Sequence, residues 1–167
     1  RNRMHERSIE LLNKAVADEL SAVHQYMYFH FRLDDLGYGP LAAMFKRIAI
    51  EEMIHVEVLA ERILFLGGEV EMGLAEETKK IHDAKAMLQA GKEMEHGSAI
   101  DYNKWALECF NNADSGSKKI FEQLVEDEER HYELFDKQID NIDRFGESYL
   151  ALQSFEDNPG GPPAGHP

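Results

Sequence analysis

Proline and glycine are placed so sparsely in this chain that they leave four long stretches almost uninterrupted. Only two glycines, both in the third stretch, fall within them. The stretches run from about Glu6 to Asp34, from Leu41 to Leu66, from about Asp83 to Asn112 and from Ser117 to Phe145. Their lengths, 26 to 30 residues, and their helix-forming composition predict four long α-helices. Such helices are stable in water only when they bury an apolar face, so the four must pack together.

The connections between these stretches predict how the helices pack. Leu36–Pro40 and Asp114–Ser117 are tight turns, whereas the connection from Gly67 to about His82 is much longer. Two short turns on either side of one long crossover predict an all-α, four-helix bundle made of two antiparallel hairpins. Residues 147–155 have an apolar pattern that predicts a short fifth helix, and the Gly/Pro-rich tail 157–167 is predicted to be disordered. Residues 1–156 are therefore assigned to a single domain.

Carboxylates and imidazoles lie in the middle of the faces that should form the core of this bundle. Each helix has an inward stripe of apolar residues at steps of three and four, and an ionisable side chain interrupts every stripe. The interrupting residues are Glu19 on the first helix, Glu52 and His55 on the second, Glu95 on the third, and Glu128 and His131 on the fourth. Unpaired charges are costly in a core, so their convergence requires an explanation.

The register of these residues places them at one height in the bundle. Glu52 follows Glu19 by 33 residues, Glu128 follows Glu95 by the same interval, and a shift of 76 residues carries the first helix pair onto the second. Each glutamate is about 15 residues, or roughly 22 Å, from its hairpin turn. A further Glu-x-x-His pair, Glu93 and His96, lies outside this register and is interpreted as a chance pair. The other six side chains are predicted to meet in the core.

Two divalent cations would balance the charge of four converging carboxylates. Mixed oxygen and nitrogen ligands suit iron or manganese, whereas zinc usually takes fewer ligands. One Glu on each of two helices, with Glu-x-x-His on the other two, is the ligand pattern of ferritin-like di-metal proteins. The alternative is a polar core network that binds no metal.

At these residues the chain resembles the bacterioferritins, over nearly its whole length to about Phe155. The stretches that carry the resemblance are Glu19–Tyr26, Glu52–His55, Glu61–Gly67, Leu124–His131 and Ser148–Leu150. The resemblance implies a ferritin-like bundle in a homo-oligomeric shell of 24 subunits, whose four-fold axes the fifth helix would line. It also implies storage of iron as a ferric mineral and a small ferredoxin as electron donor for its release.

The resemblance further implies specific roles for the core residues. Glu19, Glu52, His55, Glu95, Glu128 and His131 would bind two iron ions per subunit in a ferroxidase centre. Glu52 and Glu128 would bridge the two irons. Fe²⁺ would be oxidised to Fe³⁺ with oxygen or hydrogen peroxide as acceptor. Tyr26, on the same inward face as Glu19, is either a redox residue or a core tyrosine bonded to a ligand carboxylate, while Tyr102 is interpreted as packing.

Met53 is the residue by which bacterioferritins differ from other ferritins. It directly follows Glu52 and is turned about 100° away from the predicted metal site, towards a helix flank. The resemblance implies that Met53 is an axial ligand of a haem shared between two subunits. One departure from the family is visible, since an inner-surface iron site of some bacterioferritins uses a His and an Asp where this chain has Arg47 and Glu51.

Composition excludes several other classes of function. Lys and Arg number 18 against 32 Asp and Glu, and a net charge of −14 repels nucleic acid and anionic lipid. A single cysteine, Cys109, excludes an intramolecular disulfide or a multi-cysteine metal site. No apolar run reaches the length of a membrane span, and no secretion signal is visible, so a cytoplasmic location is expected. Two rival functions remain, a rubrerythrin-like di-iron peroxidase or oxygenase and a non-enzymatic, DNA-shielding shell.

Overall fold

The computed structural model describes residues 2–155, which form five α-helices and their connections. Arg1 and residues 156–167, which include the predicted tail and the predicted domain end, lie outside the described residues. The helices are α1 Glu6–Asp35, α2 Gly39–Phe65, α3 Ala84–Asn111, α4 Ser115–Phe145 and α5 Glu147–Leu152. Within residues 2–155 there is no strand, and no helix there is long and apolar enough to cross a membrane. The all-α prediction is confirmed.

The helix ends follow from local sequence. Gly37 and Gly67 each adopt a left-handed φ of 82° directly after a helix, a conformation that glycine enters without steric cost. At the other ends, the Asp83 carboxylate accepts a hydrogen bond from the Ala86 N–H at 2.9 Å, and Pro40 occupies the first turn of α2. The fifth helix ends at Leu152 and is shorter than the predicted 147–155. The N–H groups of Ser154 and Phe155 bond to carbonyl oxygens three residues back, as in a turn, and not four residues back.

The long crossover lies along α1, and polar side chains of α1 hold its backbone. Asn13 donates to the Glu69 carbonyl and accepts from the Glu71 N–H. Further along α1, the Gln25 side chain donates to the Lys79 carbonyl at 3.0 Å and accepts from the Lys79 N–H at 2.7 Å. These contacts satisfy backbone groups that a segment without regular structure would otherwise leave unpaired. The crossover therefore runs past the first hairpin, α1–α2, and lets the second hairpin, α3–α4, pack against it.

Two apolar clusters fill the bundle, one on each side of the ionisable layer. Along α1 the first cluster ends at Val16 and the second begins at Ala22, so Glu19 lies between them. Along the antiparallel α2 the two clusters follow in the reverse order, and Glu52 lies between Ala49 of one and Val56 of the other. Cys109, predicted as a small core residue, is fully buried in the cluster that contains Val16. The apolar clusters thus hold the ionisable residues in place from above and below.

Gly91 is needed where α3 passes close to α4. A Cβ atom at this position would lie 2.8 Å from the ring of Phe135, whereas a Cβ atom at Gly97 of the same helix would meet nothing within 4 Å. We expect Gly91→Ala to lower the free energy of unfolding by about 1–3 kcal/mol through overpacking. Gly97→Ala, as the matched control, should raise it by up to about 1 kcal/mol through helix propensity. Chemical denaturation of both variants checks this, and equal effects would contradict the close packing.

An ion pair at one end of the bundle ties the two hairpins together. Arg62 near the end of α2 contacts Asp114, the buried N-cap of α4, at 2.5 Å. Burial opposes the charge of Asp114, but hydrogen bonds from Ser117 and the contact with Arg62 prevail and lower its pKa to about 2. The folded state therefore favours the ionised carboxylate.

Asp114→Asn should therefore destabilise the protein in a pH-dependent way. A folded pKa of about 2, against an ordinary 3.8, corresponds to about 2 kcal/mol of stability above pH 4. That contribution is lost as the pH falls from 4 towards 2, so the unfolding free energies of wild type and variant should converge there. Asp143→Asn is the control, since its pair with Lys85 is exposed. A difference between wild type and Asp114→Asn that stays constant with pH would contradict the assignment.

Candidate metal centre

The six predicted core residues converge in the middle of the bundle. Each of the four long helices contributes at least one of them, and all are buried, with side-chain exposures between 0 and 7%. We refer to the six as the metal centre; they are Glu19, Glu52, His55, Glu95, Glu128 and His131. The register deduced from the sequence thus corresponds to the observed proximity of these side chains.

Their ligand atoms form two overlapping groups. One consists of Glu19, Glu52, His55 and Glu128, and the other of Glu52, Glu95, Glu128 and His131. Within each group, every residue offers an oxygen or nitrogen atom within 4.8 Å of the others. Only Glu52 and Glu128 belong to both groups. Two metal ions placed in these groups would therefore share two carboxylates, as the resemblance implies.

Both histidines turn Nδ1 towards the carboxylates. The Nδ1 atom of His55 lies 3.2 Å from Glu128 and 3.4 Å from Glu19. The Nδ1 atom of His131 lies 2.8 Å from Glu52 and 3.5 Å from Glu95. In each ring, Nδ1 is therefore the atom positioned to bind a metal.

Without cations, the electrostatics of the centre are unfavourable. Burial, reinforced by the surrounding carboxylates, raises the pKa of Glu52 and of Glu128 well above the ordinary value. Burial alone would lower the pKa of His55 and His131, but Glu19 and Glu95 respectively outweigh it and raise both. Protons are thus drawn into a cluster whose excess negative charge is otherwise uncompensated.

Several polar atoms of the centre have no hydrogen-bond partner, although they are buried. They are both carboxylate oxygens of Glu52, Oε2 of Glu95, Oε1 of Glu128 and Nδ1 of His131. The 2.8 Å contact between Nδ1 of His131 and Glu52 lacks the geometry of a hydrogen bond. An unsatisfied buried polar group costs about 1–3 kcal/mol, and more if it is charged. All of these atoms belong to residues of the two ligand groups, and oxygen with imidazole nitrogen is a donor set that suits iron. The residues present therefore fit a pair of divalent cations.

Two tyrosines donate hydrogen bonds to Glu19 and Glu95, the two carboxylates that each belong to a single ligand group. Tyr26 donates to Oε1 of Glu95, and Tyr102 donates to Oε1 of Glu19, each at 2.6 Å. The interpretation of Tyr102 as packing alone was therefore incomplete. Since Tyr102 follows Tyr26 by the same 76 residues as the glutamates, the repeat itself was the signal. Burial and the neighbouring carboxylates raise the pKa of both phenols well above the ordinary value, so both are donors.

A second pair of carboxylates, which sequence reasoning did not assign to the histidines, lies behind the rings. His55 donates from Nε2 to Asp127 at 2.9 Å, and His131 donates from Nε2 to Glu51. Asp127 follows Glu51 by 76 residues, so this pair also obeys the internal repeat. The sequence analysis considered Glu51 only as a departure from the inner-surface iron site of some bacterioferritins. In the structure, Glu51 contacts His131 of the metal centre.

The remaining predicted residues lie away from the centre. Met53 points outward from α2 and is 47% exposed. Glu93 and His96 are exposed and belong to neither group of ligand atoms. Their exclusion agrees with the interpretation of this pair as a chance spacing.

Comparisons with known proteins agree with this geometry. Residues 9–145 match the family model of the ferritin-like domain. The chain is 37% identical to a bacterioferritin of Desulfovibrio desulfuricans over 86% of this chain and 80% of that protein. It is 34% identical to a bacterioferritin of Streptomyces coelicolor over 92% and 94% of the two chains.

A solved structure extends the comparison to three dimensions. The X-ray structure of the Desulfovibrio desulfuricans bacterioferritin superimposes with a TM-score of 0.88 at 34% identity, covering 95% of this chain and 92% of that one. That structure is described as showing the diiron site in different catalytic states. The likeness therefore extends through all the helices that carry the six residues.

Proposed function

This chain belongs to the bacterioferritin family of ferritin-like proteins, and from that premise we propose that it stores and detoxifies iron through a di-iron ferroxidase centre. The observation that supports this most directly is the pair of overlapping ligand groups sharing Glu52 and Glu128. A centre of this form takes two Fe²⁺ ions as substrate and holds them close to each other. The ferric product then accumulates as a mineral inside a shell of subunits.

The residues of the chain bind the substrate and stabilise the oxidised product. Carboxylates are hard, anionic ligands, so the four glutamates stabilise Fe³⁺ more than Fe²⁺ and thereby favour oxidation. Two Fe²⁺ ions release two electrons, which with two protons convert oxygen to hydrogen peroxide, or hydrogen peroxide to two water molecules. Each Fe²⁺ would bind an unprotonated Nδ1 atom, so Fe²⁺ competes with protons for His55 and His131.

Stopped-flow oxidation tests this proposal. Fe²⁺ is added anaerobically to apoprotein in increasing amounts, and each sample is mixed with oxygen or with hydrogen peroxide. We expect a fast phase whose amplitude saturates at two Fe²⁺ per chain, since the centre has two ligand groups. The acceptor that gives the faster phase is assigned as the oxidant. A fast phase that saturates at one Fe²⁺ per chain, or its absence with both oxidants, would refute the proposal.

Met53 is proposed as the axial ligand of a haem held between two subunits. Its thioether is exposed on α2, and the neighbouring Ile54 and Val58 are also exposed, at 49% and 40%, which gives an apolar surface suited to a porphyrin. A second copy of the chain would supply the opposite Met53. A haem bound here would supply one-electron transfer, and reduction of the ferric mineral is the step needed for iron release.

We expect Met53→Ala to abolish haem binding while leaving the fast oxidation phase intact. Met53 is on the outer face of α2, and the metal centre is on the inner face. The substitution should therefore change the proposed haem site without changing the metal centre. Haem is titrated into the purified protein and followed by its Soret absorbance. Met72→Ala is the matched control, because Met72 is also exposed and has no proposed role. Equal haem binding by both variants would exclude Met53 as the ligand.

The family relation supports the remaining proposals. They are a homo-oligomeric shell of 24 subunits, a small ferredoxin as electron donor, and a cytoplasmic location. The net charge of −14 favours attraction of Fe²⁺ to such a shell and disfavours binding to nucleic acid. Sedimentation of the purified protein measures the number of subunits directly.

A further inference from the structure

One exposed arginine connects the two carboxylates that lie behind the histidines of the metal centre. Arg130 is on α4, and its Nη2 atom lies 2.7 Å from Oε2 of Glu51 and 3.7 Å from Oδ1 of Asp127. Glu51 accepts from His131 and Asp127 accepts from His55. A single guanidinium group therefore reaches both histidines through one carboxylate each.

These contacts bear on how the histidines present their metal-binding atoms. A histidine that donates from Nε2 to a carboxylate keeps its proton on that nitrogen and leaves Nδ1 free to bind a metal. The same hydrogen bond also fixes the orientation of the ring. The two carboxylates are only partly buried, with side-chain exposures of 37% for Glu51 and 26% for Asp127. Water competes for carboxylates at such exposures, so a neighbouring cation helps to keep them in place.

We propose that Arg130 is a positioning residue that holds Glu51 and Asp127 against His131 and His55, and so sets the affinity of both metal positions. We call these three residues the Arg130 bridge. The inference rests on the proposed function, because it concerns the histidines as iron ligands. It explains why one side chain could affect both metal ions although it contacts neither.

Across the internal repeat, only one half of the bundle has this arginine. Glu51 and Asp127 correspond to each other across the 76-residue repeat, but the counterpart of Arg130 is Ile54. The planar guanidinium group presents several N–H donors at fixed angles, so it can serve two acceptors at once. A lysine at this position would supply a single point of positive charge, and we expect it to preserve only part of the effect.

The alternative is an ordinary surface ion pair without effect on the centre. Arg130 is 50% exposed, and pairs of this kind contribute at most about 1 kcal/mol to stability. This low contribution helps the test, because Arg130→Ala should fold normally. Any change in metal binding then reports on the histidines rather than on loss of structure.

Binding of Co²⁺ to the apoprotein tests the inference without relying on turnover. The affinity is measured by calorimetry, and the visible absorption of bound Co²⁺ reports the ligand geometry. Removing the partner of a metal-bound histidine typically lowers affinity by about ten- to a hundredfold. We therefore expect at least about a tenfold loss for Asp127→Ala and for Glu51→Ala. For Arg130→Ala, which acts one contact further away, we expect about a three- to tenfold loss at both positions, with an altered absorption band.

Lys137→Ala is the matched control. It removes one positive charge from the same helix, where Lys137 pairs only with the exposed Glu133 among the ion pairs of the described residues. It should leave both the affinity and the spectrum unchanged. Arg130→Lys should give values between those of wild type and Arg130→Ala. If Arg130→Ala behaves as Lys137→Ala does, the positioning role is overturned.

A combined variant tests whether Arg130 acts through the two carboxylates. In a chain that already carries Glu51→Ala and Asp127→Ala, adding Arg130→Ala should cause no further loss of Co²⁺ affinity. A further loss of the full three- to tenfold would show a direct effect of charge and overturn the inference. Failure of the wild type itself to bind two Co²⁺ per chain would refute the metal centre, and the Arg130 bridge with it. Equal binding by wild type and Arg130→Ala would refute the bridge alone.

Discussion

Replacing Glu52 with alanine is expected to slow the fast oxidation of Fe²⁺ by at least about a hundredfold. Glu52 belongs to both ligand groups, and its carboxylate lies within 2.8 Å of His131 and 3.8 Å of His55. Removing the hydrogen-bond partner of a metal ligand already lowers metal affinity or activity by about ten- to a hundredfold. The loss of a ligand that two ions share should lower the oxidation rate by at least as much. Stopped-flow absorbance with two Fe²⁺ per chain measures the rate.

Glu93→Ala is the control for this substitution. Glu93 begins the third Glu-x-x-His pair but is exposed on α3 and belongs to neither ligand group. Its replacement should leave the fast phase unchanged. A similar loss of rate in both variants would show that the oxidation depends on general surface charge, and a normal rate in Glu52→Ala would exclude a shared carboxylate.

Removal of metal is expected to lower the melting temperature by about 15 °C or more. A ligand present at a thousand times its dissociation constant stabilises the folded state by about 4 kcal/mol per site, and the two ligand groups would provide two such sites. For a chain of this size each kcal/mol corresponds to about 2–4 °C. The unpartnered atoms of Glu52, Glu95 and Glu128 explain why the cations should contribute so much. Calorimetric scans of chelated and Co²⁺-saturated protein measure the shift.

The same scans on Glu128→Gln separate metal binding from unspecific effects of salt. Glu128 is the other residue common to both groups, so its amide variant should lose most of the Co²⁺-induced shift. In the metal-free state the variant should melt no lower than wild type, because it removes one buried acidic group from the cluster. A full Co²⁺-induced shift in Glu128→Gln would contradict the assignment of Glu128 as a ligand.

The fold and the six core residues were predictable because both depend on spacing. Long stretches without proline leave few alternatives to helices, and hairpins of equal arm length bring Glu19 opposite Glu52 and Glu95 opposite Glu128. A buried carboxylate in an apolar stripe is also a rare pattern, so it is informative by itself. The 76-residue repeat supplied independent support, since it relates the two hairpins.

The outer partners of the centre were not predictable from spacing. Glu51, Asp127 and Arg130 are charged residues with partly exposed side chains, which is how most surface residues of a helix appear in a sequence. Whether such a side chain turns towards a buried histidine depends on its rotamer and on the exact distance between α2 and α4. The hydrogen bond from Tyr102 to Glu19 was missed because a buried tyrosine has the same apolar pattern with or without an acceptor, and only the 76-residue repeat, which relates Tyr102 to Tyr26, indicated it.

Aerobic loading of apoprotein with a large excess of Fe²⁺ tests the central claim most directly. After loading, size-exclusion chromatography measures iron and protein in the same peak. Storage through a di-iron centre predicts far more than two irons per chain, co-eluting with a large shell. Iron that stops near two per chain, or protein that elutes as a dimer, would contradict storage and favour a di-iron enzyme acting on another substrate.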